Sequence, residues 1–196
     1  MNKILMTIFA VLLLISAVKA QDTLPDLTKK EYKKLKREER KQARAQELLE
    51  SREKIVSMVK DTAFVLEGNM LIGLSGQTEP ISHQRNFFAV DGAKAVIQFS
   101  FDHIVGSSDF GGLPNHGTLI KYIVQSDNPK RPITIVGRFR LDSDVSIIPF
   151  ELSIQDDGST RLSITNRRER RQITLTGRLV SPDDTSVYKG TRLFKK

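Results

Sequence analysis

Residues 133–141, Ile-Thr-Ile-Val-Gly-Arg-Phe-Arg-Leu, set Ile133, Ile135, Gly137, Phe139 and Leu141 on one parity and Thr134, Arg138 and Arg140 on the other. A two-residue repeat sorts apolar from charged side chains only in an extended strand, with one face on a core and one in water. The repeat recurs outward from this stretch. It is present at Phe64, Leu66, Gly68, Met70, Ile72 and Leu74, and again at Ala93, Ala95, Ile97, Phe99 and Phe101. It returns at Ile148, Phe150, Leu152 and Ile154, at Thr160, Leu162 and Ile164, and at Ile173, Leu175, Gly177 and Leu179. Residues 117–125 are apolar on both parities (Leu119, Ile120, Ile123, Val124), which predicts a more buried strand. Asp91-Gly92 and Asp157-Gly158 stand between adjacent runs and suit the positive φ of tight hairpins. Ser126-Asp127-Asn128-Pro129 and Asp142-Ser143-Asp144 mark longer turns. Strands joined so closely must be antiparallel, because a parallel pair needs a long crossover. The fold class predicted is α+β, mostly antiparallel β. About eight strands form a meander that curls into an open barrel or splits into a sandwich. Pro149 marks 145–156 as an edge strand or a bulged one.

Before the strands comes one long helix, over 28–60. Thr28-Lys29-Lys30-Glu31 is a capping box, and no Gly or Pro follows until Gly68. The composition between is rich in Lys, Arg, Glu, Ala, Leu and Gln, all strong helix formers. Ala45, Leu48, Leu49, Ile55, Val56 and Val59 make a helical stripe expected to dock on the β domain. Residues 28–44 offer only Tyr32, Leu35 and Ala43, so this half is expected to face solvent. It is also self-repelling. Lys29/Lys33, Lys30/Lys34, Lys33/Arg37, Lys36/Arg40, Arg37/Lys41 and Arg40/Arg44 are like-charged i,i+4 pairs. Each costs about 0.2–0.5 kcal/mol.

Charge is therefore local. The 196-residue chain carries +8, and residues 28–60 hold 12 Lys or Arg against 6 Glu. With Lys3 and Lys19 set aside, the remainder sums to zero. Such a segment suits an anionic partner: a lipid head group, a polysaccharide or an acidic protein. The bland alternative is a solvated linker helix.

Residues 1–20 read as a secretory signal peptide: Lys3, an apolar run from Ile4 to Ile15, then Val18-Lys19-Ala20 with cleavage before Gln21. Residues 21–27 read as a linker and 61–196 as the antiparallel β domain. The apolar run is short of the roughly 20 residues a membrane span needs, and no transmembrane segment is expected after cleavage. With no cysteine there is no lipobox, no disulfide framework and no thiolate zinc site. The mature chain is expected to be soluble and exported, in a periplasm or outside the cell.

The densest chemistry lies in 101–117, Phe-Asp-His-Ile-Val-Gly-Ser-Ser-Asp-Phe-Gly-Gly-Leu-Pro-Asn-His-Gly. A connection this long is often functional. His103, Asp109 and His116, with Asp102, supply oxygen and nitrogen ligands, but their spacing matches no recognised metal signature. Ser107 and Ser108 lack the Gly-x-Ser-x-Gly frame of a nucleophile elbow. Gly111 and Gly112 are candidates for presenting backbone N–H groups to an anion. A second basic cluster, Arg167 and Arg168 within Asn166–Arg171, joins Lys33, Arg37, Arg40, Lys41 and Arg44 as candidate ligand-binding residues. The absence of Trp, the scarcity of Tyr and the lack of interleaved basic and aromatic residues argue against nucleic acid.

Three stretches carry a family resemblance. They are Asn86-Phe87-Phe88-Ala89-Val90-Asp91-Gly92-Ala93-Lys94-Ala95-Val96-Ile97-Gln98, the Gly106–Gly112 loop leading to Gly117, and Ile173–Val180 followed by Val187-Tyr188-Lys189-Gly190. In order and spacing, from about Phe64 to Leu193, the chain resembles a bacterial domain-of-unknown-function family, number 4251. The resemblance implies an exported protein of the Bacteroidetes type, with a helix ahead of a mostly β domain. It implies no activity and no site residues. Many members look like lipoproteins, a feature this chain departs from. The function expected is a non-enzymatic exported binding or accessory protein without a cofactor. Its basic helix would meet an anionic surface, or its β layer would cradle an apolar small ligand. A hydrolase or metal-dependent enzyme using 101–117 is the alternative.

Overall fold

The computed structural model describes residues 28–73, 76–100, 114–143, 146–166 and 171–187. Helix α1 spans Lys29–Lys60. Nine strands follow among the described residues: β1 (Ala63–Ile72), β2 (Thr78–Pro80), β3 (Phe87–Asp91), β4 (Lys94–Gln98) and β5 (Asn115–Gln125), then β6 (Ile133–Leu141), β7 (Ile147–Ile154), β8 (Ser159–Asn166) and β9 (Arg171–Val180). Every pairing is antiparallel and the order is β2-β1-β3-β4-β5-β6-β7-β8-β9. β9 then pairs back onto β1, from Val65↔Val180 to Ile72↔Thr174. Eight strands thus close into a barrel, and β2 is a short appendage to β1. Closure is the barrel's answer to the free sheet edge, which would otherwise template aggregation.

At the closing seam Gly68 of β1 faces Gly177 of β9. A Cβ on Gly177 would lie 1.8 Å from the Glu67 carbonyl oxygen, so the two backbones meet where no side chain fits. Hairpins turn at Gly92 (φ 56°) and Gly158 (φ 84°), as the Asp-Gly dipeptides predict.

The interior is packed with rings. Phe88 lies 6.3 Å from Phe64, 5.9 Å from Phe139 and 5.1 Å from Phe150, centroid to centroid. All four are buried, together with Leu66, Ile97, Ile133, Ile135, Leu152, Ile154 and Leu162. Gly137 leaves the room that Phe150 fills, since a Cβ there would sit 2.2 Å from the ring. Eight strands give a barrel just wide enough for side chains to fill.

Two β-bulges revise the alternation. In β1 the register shifts between Gly68 and Met70, so Leu71 is buried and Met70 is exposed, the reverse of the predicted parity. In β5 the shift falls between Leu119 and Lys121. Leu119, Tyr122 and Val124 therefore all pack on the core, while Ile120 and Ile123 face solvent. Strand β5 is not buried on both faces. It looked so because a bulge changes which parity is apolar. Strand β7 is not an edge strand either. Pro149 pairs with Arg138 of β6, but β8 joins only from Phe150↔Ile164, so Pro149 has a strand neighbour on one side.

The outer face of β1, β3 and β4 is buried too. Val65, Phe87, Ala89 and Val96 form a second cluster with Val187. Glu67, outward on β1, holds the chain after β9. It accepts from the Thr185 hydroxyl (2.9 Å), the Ser186 N–H (2.7 Å) and the Ser186 hydroxyl (3.0 Å). Asn86, which begins the quoted motif, is buried and ties three segments. Its amide donates to the Ser82 carbonyl (2.9 Å), its side-chain oxygen accepts from Ser100 N–H (2.7 Å), and its carbonyl accepts from Gly68 N–H (2.8 Å).

By Cα packing the chain divides within α1, between Arg44 and Ala45, and the second unit begins at Ala45. In the second unit Ile55 and Val59 are buried in the barrel core, with Val56 and Met58 packed against it. Ala45 and Leu49, assigned to the docking stripe, are exposed. Core packing begins only in the turns around Arg52. Two residues past the end of the helix stands Thr62, a β-branched residue at φ 51°, whose N–H reaches the Val59 carbonyl (3.3 Å). The Tyr122 hydroxyl donates to the same carbonyl at 2.7 Å, and its burial pushes the phenol well above its ordinary pKa.

Candidate functional site

Residues 29–44 of α1 carry nine Lys or Arg and three Glu. The helix starts as the capping box requires. Thr28 N–H donates to Glu31 Oε2 (2.9 Å), the Thr28 hydroxyl donates to the same oxygen (2.7 Å), and Glu31 N–H reaches Thr28 Oγ1 (3.4 Å). The Thr28 side-chain bond, then its backbone bond, hold the Glu31 carboxyl below its usual range. Every side chain from Lys29 to Arg44 is exposed.

The helical period sorts these charges. At 3.6 residues per turn the nine cations fall within an arc of roughly 160°. Lys33, Arg37, Arg40, Lys41 and Arg44 lie in that arc with Lys29, Lys30, Lys34 and Lys36. Glu31, Glu38, Glu39, Tyr32, Leu35, Gln42 and Ala43 occupy the rest of the circumference. Lys36 Nζ stands 6.0 Å from the Tyr32 ring at the border between the two faces. No ion pair among the described residues holds any of the nine cations; the two present are Arg52–Asp156 and Lys54–Asp184. The six like-charged i,i+4 pairs cost about 1–3 kcal/mol together. A polyanion laid along this face would relieve that repulsion.

The other predicted residues are less informative. Gly111, Gly112, Arg167, Arg168, His103 and Asp109 lie outside the described residues, as do Ser107 and Ser108. His116 is exposed, and it sits in β5 rather than in a loop. Among the described residues no three His, Asp or Glu side chains gather in a way that would hold a metal ion. No described helix is long and apolar enough to cross a membrane.

Sequence reasoning overlooked Arg52. It is buried on the core-facing side of α1, and its guanidinium bridges two turns of the barrel end. One nitrogen donates to the Asp156 carboxylate and the Arg131 carbonyl (3.1 Å), the other to the Asn128 (3.1 Å) and Ser126 (3.3 Å) carbonyls. A planar fork with five donors can satisfy several carbonyls at once. The signal was present: Arg52 precedes Ile55 by three and Val59 by seven, which places it within the apolar stripe.

With this geometry in view, the comparisons with known proteins converge. A profile of a domain of unknown function, DUF4251, matches residues 37–179. The chain belongs to the DUF4251 family. A crystal structure of a DUF4251 protein from Bacteroides eggerthii shares the fold at 22% identity. It covers 72% of this chain and 94% of its own, with a TM-score of 0.55. No curated protein matches the chain. The DUF4251 match begins at Arg37, inside the basic half of α1, and spans the barrel through Leu179.

Proposed function

We propose that this DUF4251 protein is a non-enzymatic, exported binding or accessory module that adheres to an anionic surface through the basic half of α1. One observation carries the reading: nine cations on one face of a helix, none neutralised by a carboxylate among the described residues. Coulomb attraction of this kind needs no pocket and supplies about 1 kcal/mol per Lys or Arg at an anionic membrane. The filled barrel interior supports a surface partner over an apolar ligand held inside, because Phe64, Phe88, Phe139 and Phe150 already occupy that space.

The test is co-sedimentation of the mature chain with vesicles containing phosphatidylglycerol, and separately with an acidic polysaccharide. A variant with Lys33, Arg37, Arg40, Lys41 and Arg44 changed to Gln should bind at least about a hundredfold more weakly. Wild-type binding should fade as salt rises past 0.15 M, where the Debye length is about 8 Å. Equal binding by both proteins at low salt would end this reading.

A further inference from the structure

The outer wall of β5, β6 and β7 is unusual for a solvated sheet face. Ile120, Ile123, Val136 and Ile147 are exposed there, at 54%, 43%, 38% and 44%. Register sets Ile123, Val136 and Ile147 in a lattice with charge, and Ile120, the bulged residue, adjoins Lys121. Ile123, Val136 and Glu151 form one row across the three strands, and Lys121, Arg138 and Pro149 form the next. Lys121 and Arg138 are thus direct cross-strand partners of like charge, an arrangement that destabilises a sheet unless something lies between them. No ion pair among the described residues engages Lys121, Arg138 or Glu151. All three line one shallow groove of about 320 Å³, whose far side is Ser163, Thr165 and Gln172. Pockets for small ligands begin at roughly this size.

The charges select the occupant. Two cations on neighbouring strands, roughly 4.8 Å apart at the backbone, suit one phosphate held between them. Glu151 in the same groove would repel a polyacidic peptide but suits an ammonium. The exposed aliphatic side chains beside the groove suit hydrocarbon. A second copy of this chain fits less well, since an isologous contact would set two cations from each copy against a single Glu151 from the other.

We propose that this wall binds a phospholipid of the phosphoethanolamine class. Lys121 and Arg138 take the phosphate, Glu151 takes the ammonium, and the first methylenes of the chains lie along Ile120 and Val136. The site is independent of the basic half of α1. That half favours net negative surfaces, whereas this head group carries no net charge.

Amide chemical shifts of the full ¹⁵N-labelled mature chain separate the two. The probes are dihexanoylphosphatidylethanolamine and dihexanoylphosphatidylglycerol, each below its micelle concentration, and O-phosphoethanolamine without chains. The ethanolamine lipid should produce saturable shifts at residues 121, 136–138 and 149–151. Lys121→Ser with Arg138→Ser should weaken it about thirtyfold. Glu151→Gln should weaken the ethanolamine lipid about three- to fivefold and should not weaken the glycerol lipid. Shifts confined to residues 29–44 overturn this site while leaving the α1 reading intact. Equally tight binding of O-phosphoethanolamine overturns the lipid assignment. So does a response to a glutamate–leucine peptide with none to lipid.

Discussion

Replacing Gly177 by alanine tests the barrel where it closes. The added Cβ would lie 1.8 Å from the Glu67 carbonyl oxygen, 2.7 Å from its carbonyl carbon and 2.9 Å from the Gly68 Cα. Carbon–oxygen contacts across a sheet settle at roughly 3.3–3.6 Å, so β1 and β9 would have to part by about 1.5 Å. The obstacles are backbone atoms of the neighbouring strand, which have no rotamer to change. Parting the strands forfeits about two ladder hydrogen bonds, each worth about 1 kcal/mol net. Overpacking strain adds about 1–3 kcal/mol. The expected loss is about 3–5 kcal/mol, lowering the melting temperature by about 6–20 °C at roughly 2–4 °C per kcal/mol. Gly68→Ala is the matched control. Its Cβ first meets the Leu175 side chain at 2.3 Å, which can move, and then the Asn86 carbonyl at 2.9 Å. It should cost less, about 1–3 kcal/mol. Urea and thermal unfolding followed by circular dichroism read both. If Gly177→Ala melts within about 1 °C of wild type, or is milder than Gly68→Ala, β1 and β9 are not paired as described.

Three further outcomes follow from single contacts. Arg52→Met strands Asp156 and three turn carbonyls, and since Asp156 is 38% exposed the expected loss is about 2–4 kcal/mol by urea unfolding, only partly recovered by Arg52→Lys. Thr62→Gly should raise the melting temperature by about 2–4 °C, because a β-branched residue at φ 51° forfeits about 1 kcal/mol that glycine does not. Burial raises the pKa of Glu67, but hydrogen bonds from Ser186 and Thr185, with the charge of His83, outweigh it and leave the folded pKa below 4.5. The unfolded state then binds more protons, so this stability is complete above pH 4.5 and is lost as pH falls through the folded pKa; Glu67→Gln should flatten that acid limb in unfolding titrations.

Much of the fold was legible, and the exceptions share a cause. Alternation at 133–141 reports burial directly because residues 133–140 each have one partner on β7, with no bulge between the two strands. At Asn69 and Ile120 an extra residue breaks that correspondence, and a bulge leaves no mark in a parity count. Barrel closure was open between alternatives because it joins residue 65 to residue 180, a pairing no local pattern encodes. Only the Gly68 and Gly177 positions, glycines interrupting two apolar rows, hint at it. Strand β2 is three residues ending in Pro80, too short for any period to show. In α1 the charge segregation was present in the letters but emerges only once residues 29–44 are wound at the helical period. Arg52 was passed over because an arginine in an apolar stripe reads as an interruption, whereas carbonyls from distant turns make it part of the core. The candidate residues of 101–113 and 167–170 lie outside the described structure.

The most direct test of the closed, filled barrel is a set of nuclear Overhauser contacts between β1 and β9, read together with amide exchange. Closure predicts cross-strand contacts at Leu66–Leu179 and Leu71–Leu175, and slow exchange along both strands. Absence of those contacts, with β1 amides exchanging as a free edge, would contradict it.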